Sequence, residues 1–115
     1  MVAPLVTDLA LDVLGFLRTV PASEEIRSIG GQLIRSATGV ASNYRSSCRS
    51  RSRAEFIARI GIALDEADES ALWLEIITEG KPSTSRRGLE LLAEANELSA
   101  ILAQSSLTAN QNLRR

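Results

Sequence analysis

Apolar residues recur three and four positions apart along most of the chain, the spacing that stacks side chains on one face of a helix. Breaker residues cut this pattern into four stretches. The first begins at Pro4, which suits an opening turn, and carries Val6, Leu9, Val13, Phe16, Leu17 and Val20 until Pro21 stops it. The second opens at Ser23, a candidate N-cap, followed by Glu24 and Glu25 where the helix dipole favours acid. Its stripe is Ile26, Ile29, Leu33, Ala37, Val40 and Tyr44. Gly30, Gly31 and Gly39 interrupt that helix at about 1 kcal/mol each relative to alanine, so close approach of a neighbouring backbone, or a bend, is expected there.

Ser52 and Glu55 form an S-x-x-E capping box directly before Phe56 and Ile57, which marks the start of the third helix. Phe56, Ile60, Ala63, Ala67, Ala71, Leu74 and Ile77 continue the stripe to Gly80, Lys81 and Pro82, predicting about 28 residues or roughly 42 Å of helix. Ile57, Leu64, Leu72, Trp73 and Ile76 widen its apolar surface beyond one seam. The last helix is expected to start near Ser83 to Ser85 and to present Leu89, Leu92, Ala95, Leu98 and Leu102. From Thr108 to Arg115 the chain is polar and is expected to be a disordered tail, leaving a domain over residues 1–107. Short connections near residues 21–22, 46–51 and 80–84 make consecutive helices antiparallel, so the predicted fold is an all-α, up-down-up-down four-helix bundle. The broad apolar girth of the second and third helices exceeds the needs of one small core and predicts a homo-oligomer.

Composition narrows the chemistry. The 115 residues suffice for one domain, and only Phe16, Tyr44, Phe56 and Trp73 are aromatic, which disfavours β-sandwiches and barrels. Histidine is absent, which excludes His-based triads, His-ligated zinc hydrolase sites and haem ligation by histidine. The single cysteine, Cys48, cannot form an internal disulfide and has no histidine to make it a catalytic thiol. Serines 46, 47, 50 and 52 are accounted for by turn and capping chemistry. No enzyme, metal or cofactor is expected. Met1 to Leu17 is apolar but lacks a basic leader and contains Asp8 and Asp12, so neither a secretion signal nor a membrane anchor is predicted, and the expected location is the cytoplasm.

Net charge is −1, yet its distribution is uneven. Residues 27–59 hold Arg27, Arg35, Arg45, Arg49, Arg51, Arg53 and Arg59 against Glu55 alone, whereas both flanking segments are acidic. Arg45, Arg49, Arg51, Arg53 and Arg59 surround the turn between the second and third helices. One reading is a phosphate-binding patch, in which guanidinium forks and the free N–H groups at the start of the third helix meet anionic oxygens. The other is a solvated basic turn whose arginines pair with carboxylates of a neighbouring subunit. With only Tyr44 nearby for stacking, nucleic-acid binding would be backbone-directed and salt-sensitive.

Asp65, Glu66, Asp68 and Glu69 form an acidic run on the third helix. Carboxylates alone can hold Mg²⁺ or Mn²⁺, but inter-helix ion pairs are the preferred reading. If the helices fold back between residues 48 and 49, facing residues have numbers adding to about 97. Arg27 then reaches Asp68 or Glu69, and Arg35 reaches Glu66.

The stretches Gln32-Leu33-Ile34-Arg35-Ser36-Ala37, Asn43-Tyr44-Arg45, Arg53-Ala54-Glu55-Phe56-Ile57, Glu66-Ala67-Asp68-Glu69 and Trp73-Leu74-Glu75 carry a family pattern. Through them the chain resembles the bacterial four-helix bundle proteins of the 23S rRNA intervening-sequence type, from the first helix to about Leu102. The resemblance implies a left-handed antiparallel bundle assembled as a ring, typically a homopentamer, in the bacterial cytoplasm, with no enzymatic activity. Related accessory proteins of diversity-generating retroelements look like basic rings that contact a reverse transcriptase and nucleic acid. That likeness makes RNA, DNA or a reverse-transcriptase-like protein the expected partner. By position, Arg35, Asn43, Tyr44, Arg45, Arg53 and Glu55 match the motif of the second and third helices, and Glu66 and Glu69 match polar positions along the third. The present chain differs in being mildly acidic overall.

Overall fold

The computed structural model describes residues 2–80 and 86–113. Four helices follow one another: α1 (Ala3–Leu17), α2 (Glu24–Ser47), α3 (Arg53–Gly80) and α4 (Arg86–Leu113), with no strand among the described residues. Each packs against its two neighbours around a closed antiparallel bundle, and among the described residues the backbones of the diagonal pairs stay apart. The bundle measures 51 × 21 × 19 Å. Most of the predicted stripe positions form its core, with Val6, Leu9, Val13 and Phe16 of α1 packed among Leu33, Ala37 and Val40 of α2, Ile60, Ala63, Ala67 and Leu74 of α3 and Ala95, Leu98 and Leu102 of α4. At the start of α4 the expectation is corrected, since Leu91 is fully buried while Leu89, expected in the stripe, is 53% exposed.

Local signals fix the helix ends. Ser23 is extended and its Oγ accepts the Ile26 N–H at 3.1 Å, capping α2. At α3 the Ser52 Oγ accepts the Glu55 N–H at 3.1 Å, while Glu55 Oε2 accepts the Arg51 N–H at 3.2 Å. α1 ends at Leu17, earlier than the expected Val20. Proline at position 21 disfavours helical backbone before it, and the chain tightens so that Thr19 and Val20 donate to Phe16 and Leu17.

Two expectations are corrected. The presumed tail is helical as far as it is described: α4 continues to Leu113, Ala109 is buried, and Gln104 Nε2 donates to Thr108 Oγ1 at 3.2 Å. The reason lies in the second correction. Facing residues of α2 and α3 are Ser36 with Ser70, Arg35 with Glu69 and Ser46 with Arg59, so their numbers add to about 105, a shift of about eight residues or two helical turns. The connection 48–52 therefore rises along the axis before turning back, and α3 begins about 7 Å beyond the end of α2. The overhanging first turn of α3 lies instead beside the end of α4, where Arg53 and Phe56 line one groove with Gln104, Thr108, Ala109 and Asn112. The expected start of the last helix at residues 83–85 lies outside the described residues.

Small residues set the spacing between helices. Ser36 and Ser70 are fully buried, and the Ser70 hydroxyl donates to Ser36 Oγ at 2.9 Å while Ser36 donates to the Leu33 carbonyl at 3.2 Å. A hydroxyl in the core is tolerated because both hydrogens find acceptors. On α4, Gly88 lies under Thr78 of α3 and Phe16 of α1.

Candidate functional site

The arginines selected from the sequence gather at the α2–α3 end of the bundle but do not form one surface. Arg45 and Arg49 line a groove of about 680 Å³ between α1 and α2, together with Arg59, Leu11, Leu14, Ala41 and the hydroxyls of Thr7, Thr38, Ser42 and Ser46. Arg53 lies on the α3–α4 side, next to Phe56 and Gln104. Arg51 sits in the connection itself. Arg45, Arg49, Arg51 and Arg53 are exposed, and their guanidinium groups make no ion pair among the described residues.

Arg59 differs. Its guanidinium donates to the Ser46 carbonyl at 2.9 Å and Ser46 Oγ at 2.7 Å and pairs with Glu55 at 2.6 Å. It ties the end of α2 to α3, so its charge is already engaged within the chain. The start of α3 carries the expected capping box, and with it a carboxylate. Ser52 takes the Glu55 N–H, and the Glu55 carboxylate sits against the Arg51 N–H, where an incoming anion was expected. The charge offered to an anion at this end is that of the four arginine side chains, with the Glu55 carboxylate opposing it at the helix start.

Tyr44 packs against the core, and its phenol is pushed above the ordinary range by burial and by the adjacent Cys48 thiol. Asn43 donates to the Gly39 carbonyl at 2.8 Å within α2, so this pair of motif residues supports the helix next to the groove.

The acidic run divides by helix face. Asp65 and Asp68 are exposed, whereas Glu66 and Glu69 turn toward α2. Arg35 bonds Glu69 at 2.7 Å, approaches Glu66 at 4.0 Å, and is steadied by Gln32 at 3.0 Å. Trp73 Nε1 donates to the same Glu69 oxygen at 3.3 Å. The expected pairing of Arg35 with Glu66 is thus the longer of two contacts. Arg27 makes no ion pair among the described residues, because the two-turn shift moves the carboxylates away from it. No group of three or more potential metal ligands occurs among the described residues.

Glu66 explains one glycine. A Cβ at Gly39 would collide with the Glu66 carboxylate, so the gap in α2 accommodates a side chain of α3 and not its backbone. Burial raises the Glu66 carboxyl above its ordinary range, Glu69 and Asp65 add to the rise, and Arg35 opposes it. A raised carboxyl binds its proton more tightly in the folded chain, so its stabilising contribution is complete below the ordinary carboxylate pKa and is lost as pH rises through the folded value. Glu66→Gln is therefore expected to raise the urea midpoint at pH 7, with the gain shrinking toward pH 4. An equal gain at both values would refute the assignment.

The sequence missed the Ser36–Ser70 pair and the seat of Glu66 on Gly39. Both serines occupy stripe positions, between Leu33 and Val40 and between Ala67 and Leu74, and that placement was the available signal.

Comparison with known proteins follows the same outline. No curated protein matches the chain. In three dimensions it is similar to a crystal structure of a protein with unknown function from the S23 ribosomal protein family of Bacteroides thetaiotaomicron VPI-5482. The TM-score is 0.83 at 24% identity, over 92% of this chain and 98% of the other. At that identity the likeness speaks for the fold. No helix among the described residues is long and apolar enough to cross a membrane. The family model of the 23S rRNA-intervening sequence protein matches residues 2–104, carrying the Arg35, Tyr44, Glu55 and Glu69 positions with it, and the chain belongs to that family.

Proposed function

We propose that the chain is a non-enzymatic, self-associating bundle that holds RNA or DNA by its phosphate backbone through Arg45, Arg49, Arg51 and Arg53. One observation carries this reading: four exposed guanidinium groups without ion-pair partners among the described residues occupy one end of the bundle, where the nearby acid, Glu55, is spent on Arg59 and the α3 cap. Planar guanidinium forks suit phosphate oxygens, and the scarcity of stacking aromatics at this end favours backbone over base contacts.

The test is binding of a single-stranded RNA across a salt series. Affinity should fall linearly with the logarithm of salt concentration, and replacing Arg49, Arg51 and Arg53 by alanine should make the slope shallower by about 2, the value for three lost phosphate contacts. Unchanged binding in the triple variant would reject the proposal. Leu11 and Leu14 in the same groove as Arg45 and Arg49 favour a second reading, a protein-only assembly module whose arginines pair with carboxylates of another subunit. Under that reading neither the wild type nor the variant binds RNA.

A further inference from the structure

The end of α4 is polar without charge. Residues 98–113 carry no charged side chain, and from Gln104 to Asn112 the polar groups are amides and hydroxyls. Gln104, Thr108 and Asn112, four residues apart, lie along one face of the helix and are exposed. They line a groove of about 370 Å³ whose opposite wall is Arg53 and Phe56 of α3.

The groove brings together an aromatic ring, two amides and a guanidinium without an ion-pair partner among the described residues. No carboxylate among those residues lines it, and Glu55, the acid nearest Arg53 in sequence, is turned to Arg59 and the Arg51 N–H. By contrast, the groove between α1 and α4 is rimmed by Asp8, Asp12, Glu94 and Glu97, and the one between α1 and α2 offers Leu11 and Leu14 but no ring. Phe56 packs against the core and is still only half-buried, so part of its surface is open and little side-chain freedom is left to lose on binding. Gln104 Nε2 donates to Thr108 Oγ1 at 3.2 Å, which leaves Gln104 Oε1 to accept, and the Asn112 amide makes no hydrogen bond among the described residues. An amide sets a donor beside an acceptor, the pattern that meets the edge of a nucleobase. Unpaired bases expose such edges and stack on aromatic faces, whereas a duplex keeps its base faces covered.

We propose that this groove receives one unpaired base of a single-stranded nucleic acid. The Phe56 ring takes the face of the base, the Gln104 and Asn112 amides take its edge, and Arg53 holds the adjoining phosphate. The inference rests on the phosphate reading and narrows its ligand to strands that can present an unpaired base. With one ring in the groove, one base is held per copy, and the other contacts stay with the phosphates at Arg45, Arg49 and Arg51.

Fluorescence anisotropy with a labelled single-stranded RNA tests this against the same strand carrying abasic sugars, which keeps every phosphate. Circular dichroism confirms that each variant is helical. At one salt concentration the wild type should hold the intact strand about 5- to 100-fold more tightly than the abasic strand, the range for one stacked base. Phe56→Leu, which keeps an apolar side chain against the core, should lose most of that preference and bind the abasic strand as the wild type does. Gln104→Ala with Asn112→Ala, both at exposed positions, should lose part of it, and carries the test if Phe56→Leu does not fold. Equal affinity for the two strands would overturn the proposal, and so would a preference that survives undiminished in the variants. Equal affinity that weakens on Arg49→Ala with Arg51→Ala, which leaves Arg53 in place, keeps the phosphate reading and refutes the base site alone. A preference for the intact strand without salt dependence refutes the phosphate reading alone. A wild type that binds neither strand removes both.

Discussion

Leu74→Ala is expected to lower folding stability by about 2–5 kcal/mol and the melting temperature by roughly 8–20 °C. Leu74 is fully buried on α3, the helix that packs between α2 and α4, and belongs to the continuous core cluster. Truncation removes the transfer energy of its side chain and leaves a void in the core, which rigid helices can fill only in part. Small domains are stable by about 5–15 kcal/mol, so a sizeable share of the total is at stake. Urea denaturation at fixed protein concentration, with the slope unchanged, checks the value. A loss below 1 kcal/mol would mean that the core collapses around the gap and is packed less tightly than described.

Gly88→Ala is expected to cost about 1–3 kcal/mol, although alanine is the better helix former. The added Cβ would lie 2.6 Å from Thr78 Cγ2 and 3.1 Å from Phe16 Cζ. Neither neighbour yields easily: Thr78 is β-branched and its hydroxyl donates to the Leu74 carbonyl at 2.9 Å, and Phe16 is buried in the core. Gly61 provides the control, since a Cβ there meets nothing within 4 Å. Gly61→Ala should therefore stabilise the chain by up to about 1 kcal/mol. A stabilising Gly88→Ala, measured by the same urea titration, would show that α3 and α4 part without cost.

The pair of glycines also shows where sequence reasoning ends. Position within a helix was legible for both, but the neighbour across the gap depends on register. Helix starts were legible because Ser23 and the Ser52–Glu55 box act on backbone groups within a few residues, and core stripes because burial repeats with the helical period. Register was not, since the connection at 48–52 contains no repeating pattern that says whether the chain rises before it turns. Pairing Ser36 with Ser70, two hydroxyls at positions otherwise apolar, would have given the observed alignment. The same error hid the end of α4. Residues 103–112 lack a regular apolar stripe, yet α3 and α4 each span 28 residues, and the overhanging start of α3 needs a partner along its side. Of the candidate site, the location of the arginines followed from the cap beside them. Their division between two flanks, and the engagement of Arg59, required the packed helices.

The bonded corner between α2 and α3 has an energetic consequence for anything that meets it. Ser52, Glu55 and Arg59 fasten its backbone at both ends through contacts of 2.6 to 3.2 Å, so the arginines hang from a stiff frame. A polyanion arriving there has only side-chain rotamers to freeze and no loop to order, which leaves more of each contact as affinity.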